Sequence, residues 1–152
     1  MWANNYNRYL FGDVNSKEII GFEHSDKIMQ NLFRSFLIGS TEEDQVKDAF
    51  IKVKNTALAE IVNLTKTDIE TILKKAESIG VKKNNDYGSD NILKYGIIGI
   101  VVRIGDKIAR YKNLTGQKVK QMVVDEKIED TLLDIVNYST YGEMLSDNVW
   151  ND

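Results

Sequence analysis

Not one proline occurs in 152 residues, where average usage would place roughly one in twenty. Proline removes a backbone donor and clashes with the preceding turn, so a chain without it can run long unbroken helices. Cysteine is absent too, which excludes disulfides, thiolate metal ligands and cysteine nucleophiles. With 42% hydrophobic residues a chain of this length can bury the core of a single domain.

The periodicity predicts five helices behind an irregular arm. Residues 1–24 are polar, aromatic and rich in asparagine, with no sustained period, and we read them as irregular with a short strand near 18–22. Ser25 is placed to cap a helix whose stripe is Met29, Leu32, Phe33, Phe36 and Leu37, ended by Gly39. Ser40 and Thr41, followed by Glu42 and Glu43, start a second helix reaching about Asn63. Thr67 caps a third, closed by Gly80. Residues 25–80 are thus read as packing helices.

KKNNDYG, from Lys82 to Gly88, reads as a polar loop. Ser89 then caps a long helix to about Asn113, whose first half is apolar nearly all round and is therefore expected at the centre of the domain. After a loop around Gly116, Val119–Val124 reads as extended or as a helix lead-in, and a last helix is expected from about Asp125 to Leu145, ahead of a frayed tail carrying Trp150. The result is an all-α, five-helix bundle-like domain. Residues 83–145 carry its chemistry.

At about 100° per residue, Gly96, Gly99, Arg103, Asp106, Lys107 and Arg110 share one face of the fourth helix. Arginine and lysine so placed suit phosphate, the guanidinium through paired donors and the ammonium as a point charge. On the last helix Glu126, Asp130, Asp134 and Asn137 share an arc, while Ile128, Leu132, Ile135 and Val136 face the other way. Carboxylates one turn apart can share Mg²⁺, which takes oxygen ligands and keeps water positions for phosphate. Each stripe alone has a plain alternative, a solvated face of intrahelical charge pairs. Opposed across a cleft, they would neutralise metal and phosphate together.

Other residues carry less. His24, the one histidine, precedes a helix start and reads as exposed, which removes multi-histidine metal sites and a Ser-His-Asp triad. Tyr87 and Tyr141 are placed to stack on a base, whereas Tyr95 and Tyr138 read as core. No phosphate-binding glycine loop follows a strand. A net charge of −3 argues against a nucleic-acid coat. The N-terminus lacks an export signal, and the most apolar run, Tyr95–Val102, is far short of the roughly twenty residues that span a bilayer. The expected location is the cytoplasm, with no membrane or nucleic-acid partner.

The run Asp86-Tyr87-Gly88, Asn91, Gly96-x-x-Gly99-x-x-x-Arg103-x-x-Asp106-Lys107-x-x-Arg110, then Asp125-Glu126-x-x-Glu129-Asp130-Thr131-Leu132-Leu133-Asp134-x-x-Asn137-Tyr138, resembles the nucleotide-modification-associated domain of the first type, a family of phages and their bacterial hosts. The last helix is also similar to the metal-binding helix of the MazG-like all-α NTP pyrophosphohydrolases. That resemblance implies an oligomeric helical fold that cleaves or binds nucleoside triphosphates, with Glu126 and Asp130 on Mg²⁺ and Asn137 on the nucleotide; taken with the two stripes, the leading reading adds Asp134 and Asp106 to the metal and Arg103, Lys107, Arg110, Tyr87 and Asn91 to the nucleotide. The chain lacks the second E-E-x-x-E motif of those enzymes, so no catalytic residue is named and binding is the firmer expectation than hydrolysis. Three functions remain open: a Mg²⁺-dependent nucleotide phosphohydrolase, a protein that sequesters a nucleotide or nucleotide-derived immune signal without cleaving it, and a nucleic-acid accessory module.

Overall fold

Helices make up most of the described residues. A computed structural model describes residues 2–12, 14, 19–116 and 121–151, excluding the side chains of residues 121–126. Among the described residues there are seven helices and no strand: α1 (Trp2–Phe11), α2 (Phe22–Ile38), α3 (Glu43–Thr65), α4 (Ile69–Tyr87), α5 (Asp90–Leu93), α6 (Gly96–Gly116) and α7 (Gln121–Ser146). The all-α expectation is met. The count of five and the irregular arm are not.

The arm is α1. Asparagine and tyrosine are poor helix formers, and this hid it, but Tyr6 and Leu10, one turn apart, are fully buried. Tertiary burial outweighs propensity. No strand forms near 18–22: residues 19–21 are irregular, Phe22 is already helical, and Glu18 lies outside the described residues. Gly21, at φ +80°, opens α2, so Ser25 sits a turn inside, where its hydroxyl donates to Gly21 O at 2.7 Å. The α3 start comes at Glu43, with no side-chain cap from Glu42. For α4 the cap is Asp68, which accepts from the Thr71 amide at 2.8 Å, not Thr67.

Gly80 does not end α4. It lies in mid-helix because the Tyr6 ring occupies the space a side chain would need, with Tyr6 Cζ only 2.6 Å from where a Cβ would stand. The supposed loop therefore continues α4 to Tyr87, where Gly88 at φ +83° breaks it. The long helix expected from Ser89 is divided, since Gly96 at φ +59° separates short α5 from α6. Ser89 caps nothing. Its carbonyl instead accepts from the Trp150 indole at 3.0 Å, and Trp150, only 3% exposed, is not a frayed end.

The central element is α7, not α6. It packs against α1, α3, α4 and α6, and Ile128, Leu132, Ile135 and Val136 are buried as their stripe predicted. On α6 the apolar excess is partly outside: Ile98 and Val102 are exposed, as are Tyr95 just before it and Leu37 and Ile38 at the end of α2. An all-round apolar helix normally signals burial; here α7 has taken that place. The α7 segment begins at Gln121, so the helical lead-in alternative holds for residues 121–124, while Val119 and Lys120 lie outside the described residues. Among the described residues no helix is long and apolar enough to cross a membrane.

Two polar devices fasten α1 to the bundle. The Lys54 ammonium, on α3, lies 2.8 Å from Glu143 of α7 and donates to the carbonyls of Tyr9 and Gly12 at the end of α1. Asp147 accepts from the Tyr9 hydroxyl and from Lys47, each at 2.7 Å. Trp2, Tyr6, Tyr141 and Trp150 close the same corner as a ring cluster, with the two indoles edge to face at 5.4 Å between centroids.

Candidate functional site

Where α4, α5, α6 and α7 meet there is a cavity of about 470 Å³, within the usual range for small-molecule sites. From α4 and its end come Lys83, Asn84, Tyr87 and Gly88; α5 adds Asn91 and Ile92, α6 adds Arg103 and Lys107, and α7 adds Asp134, Asn137, Tyr138 and Tyr141.

Charge organises one end of it. The two oxygens of Asp134 are taken separately, Oδ1 by Lys83 at 2.8 Å and Oδ2 by Lys107 at 2.9 Å. Arg103 lies over the Tyr138 ring, 5.7 Å from its centroid, and has no carboxylate partner among the described residues. The charged lining is therefore three cations around one carboxylate. Partial burial works against the Lys83 ammonium, but its hydrogen bond and charge pairing with Asp134 more than offset this and hold its pKa above the ordinary lysine value. Lys83 is thus a firm cation at neutral pH.

Asn137 forms the inner wall. It is 4% exposed, its amide nitrogen donates to Ala76 O at 3.1 Å, and its oxygen accepts from the Tyr6 hydroxyl. α1 and α4 thereby lock the orientation of a residue that α7 supplies. Burial raises the pKa of both Tyr6 and Tyr141 well above the phenol value, with neighbouring tyrosines and carboxylates adding to it, so both remain neutral donors. Tyr87 is 72% exposed at the rim.

Of the residues singled out from sequence, Arg103, Lys107, Asp134, Asn137, Tyr87 and Asn91 meet in this cavity. The two stripes do face one another, as the Lys107–Asp134 pair requires. Arg110 is outside the lining and donates to Thr131 Oγ1 at 3.2 Å. Asp106 and Asp130 are exposed and also outside it, and the Glu126 side chain lies outside the described residues. Gly96 and Gly99 do not line the cavity: Gly96 makes the α5–α6 break, and a Cβ on Gly99 would stand 2.7 Å from Tyr95 Cβ. Tyr138, expected in the core, lines the cavity, and Tyr95 is exposed. His24 is exposed as expected.

Of the four acids expected on Mg²⁺, Asp134 lies in the lining, Asp106 and Asp130 lie outside it, and the Glu126 side chain is outside the described residues. Among the described residues no three of His, Asp and Glu cluster to hold a metal ion, and Asp134 already satisfies two lysines. Lys83 is the charged lining residue that the sequence reading does not reach, and Asn84 and Ile92 join it uncharged. Its signal was present, since Lys75 and Lys83 lie two turns apart and pair with Glu129 and Asp134 of α7, but assigning Lys83 to a loop erased the helical face they share.

Residues 83–144 match the family model described as nucleotide modification associated domain 1. The match spans well under half of the chain, yet every cavity-lining residue lies within it. α1, α2 and α3 fall outside. No curated protein and no solved structure matches the chain.

Proposed function

We propose that the cavity binds a nucleotide, its phosphate held by Lys83, Arg103 and Lys107 and its base against the tyrosine rim. The observation that carries this reading is the convergence of two lysines on one carboxylate, with Arg103 in the same lining, in a recess that also offers aromatic rings. Each ammonium has three donors and gives one to Asp134, so the others are available to phosphate oxygens while Asp134 keeps both lysines aimed. The guanidinium of Arg103, backed by the Tyr138 ring, adds a planar fork suited to the same group.

Binding without cleavage is the form we favour. Hydrolysis of the MazG-like type uses carboxylates on a metal to activate water, and the one carboxylate lining this cavity is engaged by lysines. Sequestration of a nucleotide or nucleotide-derived signal needs only the cations and rings. The test is calorimetric titration of the purified protein with nucleotides, followed by mass spectrometry of the ligand after incubation with Mg²⁺ and denaturation. We expect saturable binding, weakened about tenfold or more by Arg103→Ala through loss of charge-assisted bonds, and intact ligand on recovery. Absence of binding across the common nucleotides would remove the reading, and a cleaved product would return it to the phosphohydrolase.

A further inference from the structure

We infer that the ligand of this cavity carries a single phosphate group, as a nucleoside monophosphate taken without a bridging divalent metal. The inference rests on the nucleotide reading above and narrows its substrate class.

Charge matching gives the first argument. Lys83, Arg103 and Lys107 against Asp134 leave the lining with a net charge of two positive. A phosphate monoester has its second pKa near 6 and carries roughly −1.5 to −2 at neutral pH. The two therefore neutralise one another in a partly desolvated recess, where residual charge of either sign is costly. A metal-free triphosphate would bring surplus negative charge that no further cation in the lining meets.

Geometry gives the second. Lys83 and Lys107 hold opposite oxygens of one carboxylate, so their ammonium groups are gathered about one point. That suits one tetrahedral anion with several acceptor oxygens. A polyphosphate chain is served by cations strung along its length, or by a metal bridging its phosphates. Lys75, the next cation along α4 that pairs with α7, is engaged with Glu129 at 2.6 Å and is not in the lining. Tyr87 and Asn91 complete the lining with an aromatic ring and an amide and not with further cations, which suits a base and not more phosphate.

Asp134 then sets ligand charge as well as lysine position. Replacing it with asparagine raises the net charge of the lining by one and should move preference toward more highly charged ligands; removing Lys83 should do the reverse.

The experiment is calorimetric titration in EDTA with the nucleoside and its 5′-mono-, di- and triphosphates, in the adenosine, guanosine, cytidine and thymidine series, with inorganic phosphate alongside. We expect the monophosphate of the preferred base to bind tightest, the nucleoside about tenfold or more weaker, and the triphosphate no tighter than the monophosphate. Asp134→Asn should shift the ratio of triphosphate to monophosphate affinity about tenfold toward triphosphate. Lys83→Gln, at a half-exposed position, should shift that ratio away from triphosphate and narrow the gap between monophosphate and nucleoside, and it supplies the comparison if Asp134→Asn fails to fold. A metal-free triphosphate that binds tightest, or a nucleoside equal to its monophosphate, would overturn the inference and leave nucleotide binding standing. Failure of every nucleotide would overturn both.

Discussion

Lys54 holds its ammonium 2.8 Å from a carboxylate oxygen of Glu143, and both side chains are fully shut off from solvent. Such a pair stabilises little relative to well-packed apolar residues, but removing one partner strands a buried charge. Glu143→Ala should therefore cost about 3–5 kcal/mol in urea unfolding. The double substitution Lys54→Met with Glu143→Leu should recover much of that loss. Equal destabilisation by the single and double variants would contradict this account.

Gly142 reverses the usual rule for helical glycine. Alanine in mid-helix normally gains about 0.5–1 kcal/mol over glycine, yet a Cβ here would stand 2.6 Å from the fully buried Phe50 ring. Gly142→Ala should lower stability by about 1–3 kcal/mol, as overpacking does. Gly105, where a Cβ would meet nothing within 4 Å, is the control: Gly105→Ala should raise the melting temperature.

Asp147 makes α1 docking sensitive to acid. Partial burial opposes its charge, but the hydrogen bonds from Lys47 and Tyr9 prevail and lower its pKa below the ordinary 3.8. Its contribution is complete above that ordinary value and is lost as pH falls through the lower folded one. Stability should thus fall more steeply below pH 3.8 in the native protein than in Asp147→Asn. Unfolding followed by tryptophan fluorescence reports it, because Trp2 and Trp150 meet in that corner. Parallel pH profiles for the two proteins would refute the assignment.

Tyr6 links the N-terminal helix to the cavity wall. Tyr6→Phe removes the hydroxyl that contacts Asn137 and Ala76, at about 1 kcal/mol of stability. It also leaves the Asn137 oxygen without that donor, so nucleotide affinity should fall although residue 6 is not in the lining. Unchanged affinity alongside reduced stability would show that the wall does not need this brace.

Much of the site was legible because helical spacing alone puts Arg103 and Lys107 on one face of α6 and Asp134 and Asn137 on one face of α7. What spacing cannot encode is which neighbour a face meets. Asp130 and Asp134 share an arc, yet Asp130 is exposed, because α7 sinks into the bundle between them. Lys83 was lost for a related reason: glycine at position 80 was read as a stop, while its missing side chain serves the Tyr6 ring. α1 was hidden because its helicity depends on burying Tyr6 and Leu10 against elements distant in sequence. The exposed apolar face of α6 misled in the opposite direction, since apolar content identifies what can be buried and not what is.

α7 is both the structural axis of the bundle and the floor of the cavity, and this divides the site into two evolutionary regimes. Around Asp134 and Asn137 most residues also hold the core, so change there threatens folding before it can alter specificity. Tyr87, Asn91 and Lys83 stand on the rim with few such duties. Descendants of this chain should explore new ligands by rewriting the rim and inherit the floor nearly intact.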